Sequence, residues 1–348
     1  MSPRIIPRKI KFAANACLLI LGLFLSYLVV KASGTTPAAL LDKTKDVNYG
    51  GLLFVMAAYY LQSLFMAKRW AVLLGCYTDL KVLPKGFIFY NANIGLLLSS
   101  FIPVFGNMGA KALVGKLEHG ISPPKTVYAT SLEYLIGFTV VVAMLIPSSL
   151  YALHILSLPA GIIGLALILI GLLLGFPRYF RFLLHVFGII LAFGQRVLGN
   201  FSRLRNLSSP AGFFPESFRD IDHKTSARLV RLSLLVYAVI LARCYIYVRA
   251  FNIPIDVFKF SLLFFIGYAL SSLSLTPGNL GIAELGWFGV LTLVGVGREN
   301  AAFYALGKRI IDMGAVLILA AGGYGYYLYQ KKRRIALPLA GQKEERLG

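Results

Sequence analysis

Two short stretches gather the residue types that could do chemistry. Gly106-Asn107-Met108-Gly109-Ala110-Lys111 and Pro277-Gly278-Asn279-Leu280-Gly281-Ile282-Ala283-Glu284 share a Gly-Asn-x-Gly core, and both interrupt long apolar runs. That chemistry would be anion binding. A helix that starts at such a break directs unpaired backbone N–H groups and the positive end of its dipole toward the break. Glycine lets a ligand approach the backbone, and Asn107 and Asn279 can bridge ligand and protein. The plain alternative is packing, because Gly and Pro recur in membrane helices for that purpose alone.

Arg243 is the sharpest single residue, since it stands near the middle of the apolar run Leu232–Val248. A central arginine costs roughly 2.5–3.5 kcal/mol on insertion scales and so faces the interior with a partner. Either it pairs with Glu133, Glu284 or Asp312, or its guanidinium fork contacts a phosphate. Lys308, Arg309 and Asp312 lie within one turn of each other on the last apolar run. They form either a self-satisfied ion cluster or the lining of a pathway. Lys111 is the cation expected nearest the first break. Glu133, Glu284 and Asp312 are expected to balance charge or carry protons.

Catalysis is poorly served. No nucleophile–histidine arrangement, metal-ligand spacing or phosphate loop is present, and no cofactor or metal is expected. Three cysteines and four histidines lie scattered along the chain, which suits neither a disulfide framework nor a zinc site. Asp42, Asp46 and Asp256 could serve glycosyl transfer at an outer loop but stand in no recognisable motif, so the chain is not expected to be an enzyme.

The elements that must position these residues are membrane helices. Of 348 residues 58% are hydrophobic and 14% charged, with a mean hydropathy of +0.74, whereas soluble domains carry about 25% charged residues. Runs near 20 apolar residues indicate an all-α, polytopic helical membrane protein, and their continuity excludes a β-barrel. The net charge of +21 falls at span ends and in one loop. That placement suits the positive-inside rule and an anionic lipid surface rather than nucleic acid.

The predicted spans are Phe12–Val30, Tyr49–Ala67, Thr126–Ile146, Ala160–Phe176, Leu232–Val248 and Ala301–Tyr329. Lys68, Arg69 and Trp70 are read as a membrane boundary. Phe182–Leu198 fits an interfacial amphipathic helix or a short buried one, and the basic stretch Arg196–Arg231 a cytoplasmic linker resting on anionic lipid. Charge parity then forces two returns. Gly86–Leu117 enters from the cytoplasm and comes back, and Val257–Val296 does the same from outside. Two broken hairpins entering from opposite faces are the signature of an inverted-topology repeat. The chain is thus one membrane domain over 1–348. Its first half is 10–176, its linker 177–231, its second half 232–330 and its tail 331–348, with both termini cytoplasmic.

The second break, Pro277-Gly-Asn-Leu-Gly-Ile-Ala-Glu284, resembles the Pro-Gly-Gly-x-Gly-x-x-Glu signature of the lysylphosphatidylglycerol synthase transmembrane-region family. The resemblance runs from about Ile10 to Tyr329 and takes in Arg69-Trp70 and Pro103–Lys111. Asn279 stands where glycine is usual, and Lys111 where arginine is expected. The resemblance implies a flippase-like lipid-translocating domain with paired re-entrant helices. Two-domain members carry a soluble aminoacyl transferase after the membrane part. This chain stops at Gly348, so no lipid aminoacylation is expected.

These readings converge on a flippase or transporter in a prokaryotic cytoplasmic membrane, moving an anionic phosphate-bearing lipid or lipid-linked glycan. Gly106, Asn107, Gly109, Pro277, Gly278, Asn279 and Gly281 would hold the headgroup, with Lys111, Arg243 and Arg309 neutralising it. The rivals are a small-anion channel or transporter and an accessory membrane subunit of a cell-envelope glycosyltransferase system, with cell-envelope biosynthesis enzymes as partners.

Overall fold

The computed structural model describes residues 8–77, 83–102, 105–175, 221–272 and 276–344, and there all regular structure is helical. In chain order the helices are α1 (Arg8–Ser33), α2 (Pro37–Asp42), α3 (Tyr49–Gly75), α4 (Lys85–Ser99), α5 (Phe105–His119) and α6 (Pro123–Ala152). There follow α7 (Leu158–Gly175), α8 (His223–Ala250), α9 (Val257–Ser271), α10 (Ile282–Leu293) and α11 (Arg298–Glu344). The starts carry the expected chemistry, a side-chain oxygen accepting from the orphan N–H groups of the first turn. Asn48 caps α3, Asp222 caps α8 and Asp256 caps α9.

Among the described residues α3, α6, α7 and α8 are long and apolar enough to cross a membrane. α1 from Cys17, bent by 86° into the short helices ending at Asp46, would make a fifth. α11 is not in that set; it carries Lys308, Arg309 and Asp312 in its first half and continues past Lys331 without a break. Two boundaries differ from the sequence reading. α3 runs through Lys68, Arg69 and Trp70 to Gly75, because Arg69 and Trp70 are buried in the protein and not at its rim. α8 starts at His223, so Lys224, Arg228 and Arg231 are helical. Phe182–Leu198 and most of the basic stretch lie outside the described residues.

Two helical hairpins form the middle. In the first, Asn91 Nδ2 donates to the Lys111 carbonyl (3.3 Å), and Gly106 lies against the Leu98 carbonyl, so α4 and α5 run antiparallel. In the second, Gly267 lies against the Trp287 ring and Gly286 against Leu270. The hairpins approach α11 from opposite ends. The open end of the first is tied near the far end of α11, where the Gly86 N–H donates to Gln330 Oε1 (2.9 Å). The second packs on the near end, with Trp287 and Tyr304 5.5 Å apart.

The packing repeats itself between halves. The first arm of each hairpin lies on the last long helix of the other half, α4 on α11 and α9 on α6. The second arm lies on its own, α5 on α6 and α10 on α11, while α3 and α8 pair across the middle. Exchanging α3 with α8, α4 with α9, α5 with α10 and α6 with α11 leaves this scheme unchanged. A core of Tyr247, Phe260, Phe264, Trp287 and Tyr304 knits the second half together.

Candidate functional site

The two breaks meet. Ser100 ends α4, and its carbonyl presses on Gly278, where a side chain would have no room. Gly278 and Asn279 both adopt left-handed backbone (φ 60° and 59°), as does Gly281 (φ 82°). Only glycine takes that conformation freely, which is why the motif is glycine-rich here. The second break is a short 3-10 turn, Pro277–Asn279. Gly106, Asn107 and Gly109 lie differently, inside the first turns of α5.

At the second tip the anion is the protein's own. The Gly281 N–H donates to Glu284 Oε2 (2.6 Å), so the carboxylate caps α10. Arg309 donates to the Gly278 carbonyl, and its Nε lies 3.6 Å from Glu284 Oε1. Asn279 Nδ2 donates to the Ser271 carbonyl, which closes the turn. Gly281 faces α1, against Leu25 and the Gly22 carbonyl. α1, although first in the chain, therefore covers the tip of the second half.

Beside the first hairpin lies a buried ion triad. Glu133 on α6 accepts from Lys111 Nζ at Oε2 (2.7 Å) and from Arg69 Nη2 at Oε1 (2.8 Å). All three side chains are at most 6% exposed. Arg69 Nη1 also donates to Ser233 Oγ (3.2 Å), and the Lys111 ammonium stands 5.5 Å from the Trp70 ring centroid. Asn107 Nδ2 donates to the Tyr134 hydroxyl (2.9 Å). Its Oδ1 and that of Asn91 are buried without a hydrogen-bond partner. Gly109 is exposed, with open space around it.

The second half holds a matching set. Arg243 Nη1 donates to Gln62 Oε1 (2.7 Å), and its guanidinium stacks 3.6 Å from the Tyr59 ring centroid. Asp312 accepts from Lys308 Nζ (2.5 Å) and from the Tyr247 hydroxyl (2.8 Å), within charge range of Arg243. The correspondence extends to position. Arg69 and Arg243 are each the twenty-first residue of α3 and of α8, and Glu133 and Asp312 follow the respective hairpins. Arg243 thus forms no direct salt bridge with Glu133, Glu284 or Asp312.

Arg69 is the functional candidate the sequence reading missed. Beside Lys68 and Trp70 it looked like an interfacial cation. Its signal is positional, an arginine at the same depth in the first long helix of each half. Gln62 and Tyr59 carry no such signal, because a polar residue in an apolar run tells little about its partner.

Five basic side chains (Arg69, Lys111, Arg243, Lys308, Arg309) therefore meet three carboxylates (Glu133, Glu284, Asp312) in this interior. Among the described residues no three His, Cys, Asp or Glu side chains gather as a metal site requires.

A helical fold with four to five apolar spans among the described residues, a polar interior and hairpins meeting tip to tip defines a polytopic α-helical membrane protein. More narrowly, residues 16–320 match the family described as lysylphosphatidylglycerol synthase TM region, and the chain belongs to that family. No match was found among curated proteins or solved structures.

Proposed function

We propose that the protein is a transporter and not an enzyme, one that carries an anionic, phosphate-bearing lipid or lipid-linked glycan across a prokaryotic cytoplasmic membrane. The observation that carries this reading is the charge excess around the two tips. Five cations against three carboxylates leave two positive charges uncompensated where desolvation makes them costly. A phosphate-bearing headgroup entering this interior offsets that cost, and arginine forks suit its oxygens. The near-equivalent halves suit alternating access by an inverted repeat, one hairpin entered from each side of the membrane. With both termini cytoplasmic, the first hairpin opens inward and the second outward. The structure has the tips in contact, as an occluded state requires.

Reconstitution into liposomes containing fluorescent anionic lipids tests the proposal. Wild-type protein is expected to move the label between leaflets, and Arg69→Ala and Arg243→Ala are each expected to stop it. Chloride or fluoride efflux without lipid movement would make the protein a small-anion pathway built on the same charges.

A further inference from the structure

A second lipid contact lies far from the tips, where α3 begins and α8 ends. The Asn48 N–H donates to the Ala250 carbonyl (2.8 Å), and a methyl on Gly51 would come within 3.1 Å of Ala250 Cβ. The two helices cross so closely because Gly51, in the first turn of α3, has no side chain. With Gly50 and Gly51 in its lining, the crossing leaves a groove of about 600 Å³ between Phe54 on one wall and Tyr245 and Ile246 on the other. That volume lies within the range of roughly 300–1,000 Å³ for small-molecule sites. The lining is almost wholly apolar, and one side is open. Tyr245 rests against Phe260, ring centroids 5.7 Å apart, so this wall stands without a ligand.

One charge borders the groove. Arg249, in the last turn of α8, is exposed at its rim. Its carbonyl accepts from the Asn252 N–H (3.2 Å), but its guanidinium makes no hydrogen bond or ion pair with any described residue. Both helices are long and apolar enough to span the bilayer. The open side of the groove therefore faces acyl chains, and the arginine stands where helix ends reach the headgroups.

We infer that this groove is a binding site for an anionic phospholipid of the surrounding bilayer, one acyl chain lying along Phe54 and Ile246 and the phosphate held by Arg249. The apolar walls exclude water from the chain. The guanidinium fork selects lipids of net negative charge, because a zwitterionic headgroup brings its own cation to the phosphate. The site needs none of the charges at the tips.

Native mass spectrometry of protein purified in mixed phosphatidylglycerol and phosphatidylcholine micelles tests it. Wild type is expected to retain phosphatidylglycerol in preference, and Arg249→Gln to lower that retention roughly tenfold. Ile246→Trp, which fills the groove, is expected to reduce retention of both lipids. Arg249→Gln is expected to leave lipid movement between leaflets at the wild-type rate, which separates this site from the proposed pathway. Equal retention of the two lipids by wild type overturns the inference. So does phosphatidylglycerol retention that neither groove variant changes, or a dimer that Ile246→Trp disperses.

Discussion

At the scale of single residues the Arg69–Glu133–Lys111 triad is the most exposed to test. One carboxylate serves two buried cations, so its neutralisation leaves like charges facing each other at 1–6% exposure. Removing one partner of a buried pair costs about 3–5 kcal/mol. Glu133→Gln is therefore expected to lower the melting temperature in detergent markedly. Adding Lys111→Met should recover part of the loss, since only Arg69 then lacks its counter-charge. A double variant no more stable than the single one would remove the triad from the account. Arg243 separates shape from charge in the same way. Arg243→Lys keeps the charge but cannot both stack on Tyr59 and reach Gln62 as the planar fork does. It is expected to fold yet transport poorly, as a lipid-scrambling assay would show.

At the scale of elements, the breaks and the hairpin ends decide what holds and what gives. Gly278 has left-handed backbone and lies against the Ser100 carbonyl. Gly278→Ala is expected to cost about 1–3 kcal/mol. Gly289→Ala, in open space on α10, should be neutral or slightly stabilising, because alanine favours helix. Thermal unfolding of the pair checks both.

The open end of the first hairpin is latched to α11 through Glu118, which accepts from the Tyr327 hydroxyl (2.8 Å) and Lys331 Nζ (2.9 Å). Those two hydrogen bonds hold the Glu118 carboxyl below its ordinary range. A depressed folded value means the latch contributes fully at neutral pH and is lost as the pH falls through that value. Hydrogen-exchange protection in α4 and α5, taken relative to the intrinsic rate at each pH, is thus expected to fall once the pH drops below the ordinary carboxylate range. Glu118→Gln should be weakly protected at every pH.

The elements differ in how far the sequence disclosed them. Both hairpins were legible, because glycine, proline and asparagine in an apolar run conflict with a plain helix and charge parity allows no other path. The cover of α1 over Gly281 was not, since nothing in an apolar span names its neighbour. Nor was the burial of Arg69, because an arginine beside a tryptophan has the same local appearance at an interface as in an interior. The start of α8 was not legible either: Asp222 caps it at His223, but the basic residues on both sides of Asp222 read as linker.

The molecule as a whole is expected to sit with the α10–α11 turn outside and Lys331 inside. A cysteine at Arg298 should react with an impermeant maleimide in intact cells, and one at Lys331 only after permeabilisation. The reverse pattern would invert every statement about which hairpin opens to which side. α11 gives this arrangement a mechanical consequence. It runs unbroken from Arg298 to Glu344, and it grips the second tip at Arg309 and the base of the first hairpin at Lys331. At 1.5 Å per residue those grips are about 33 Å apart. Such a strut behaves like the beam of a balance: a tilt that lifts Arg309 off Gly278 shifts Lys331 at the other end. In the transporter proposed above, one helix would thereby couple the opening of one hairpin to the other, and a state open at both ends would have to break both grips of α11.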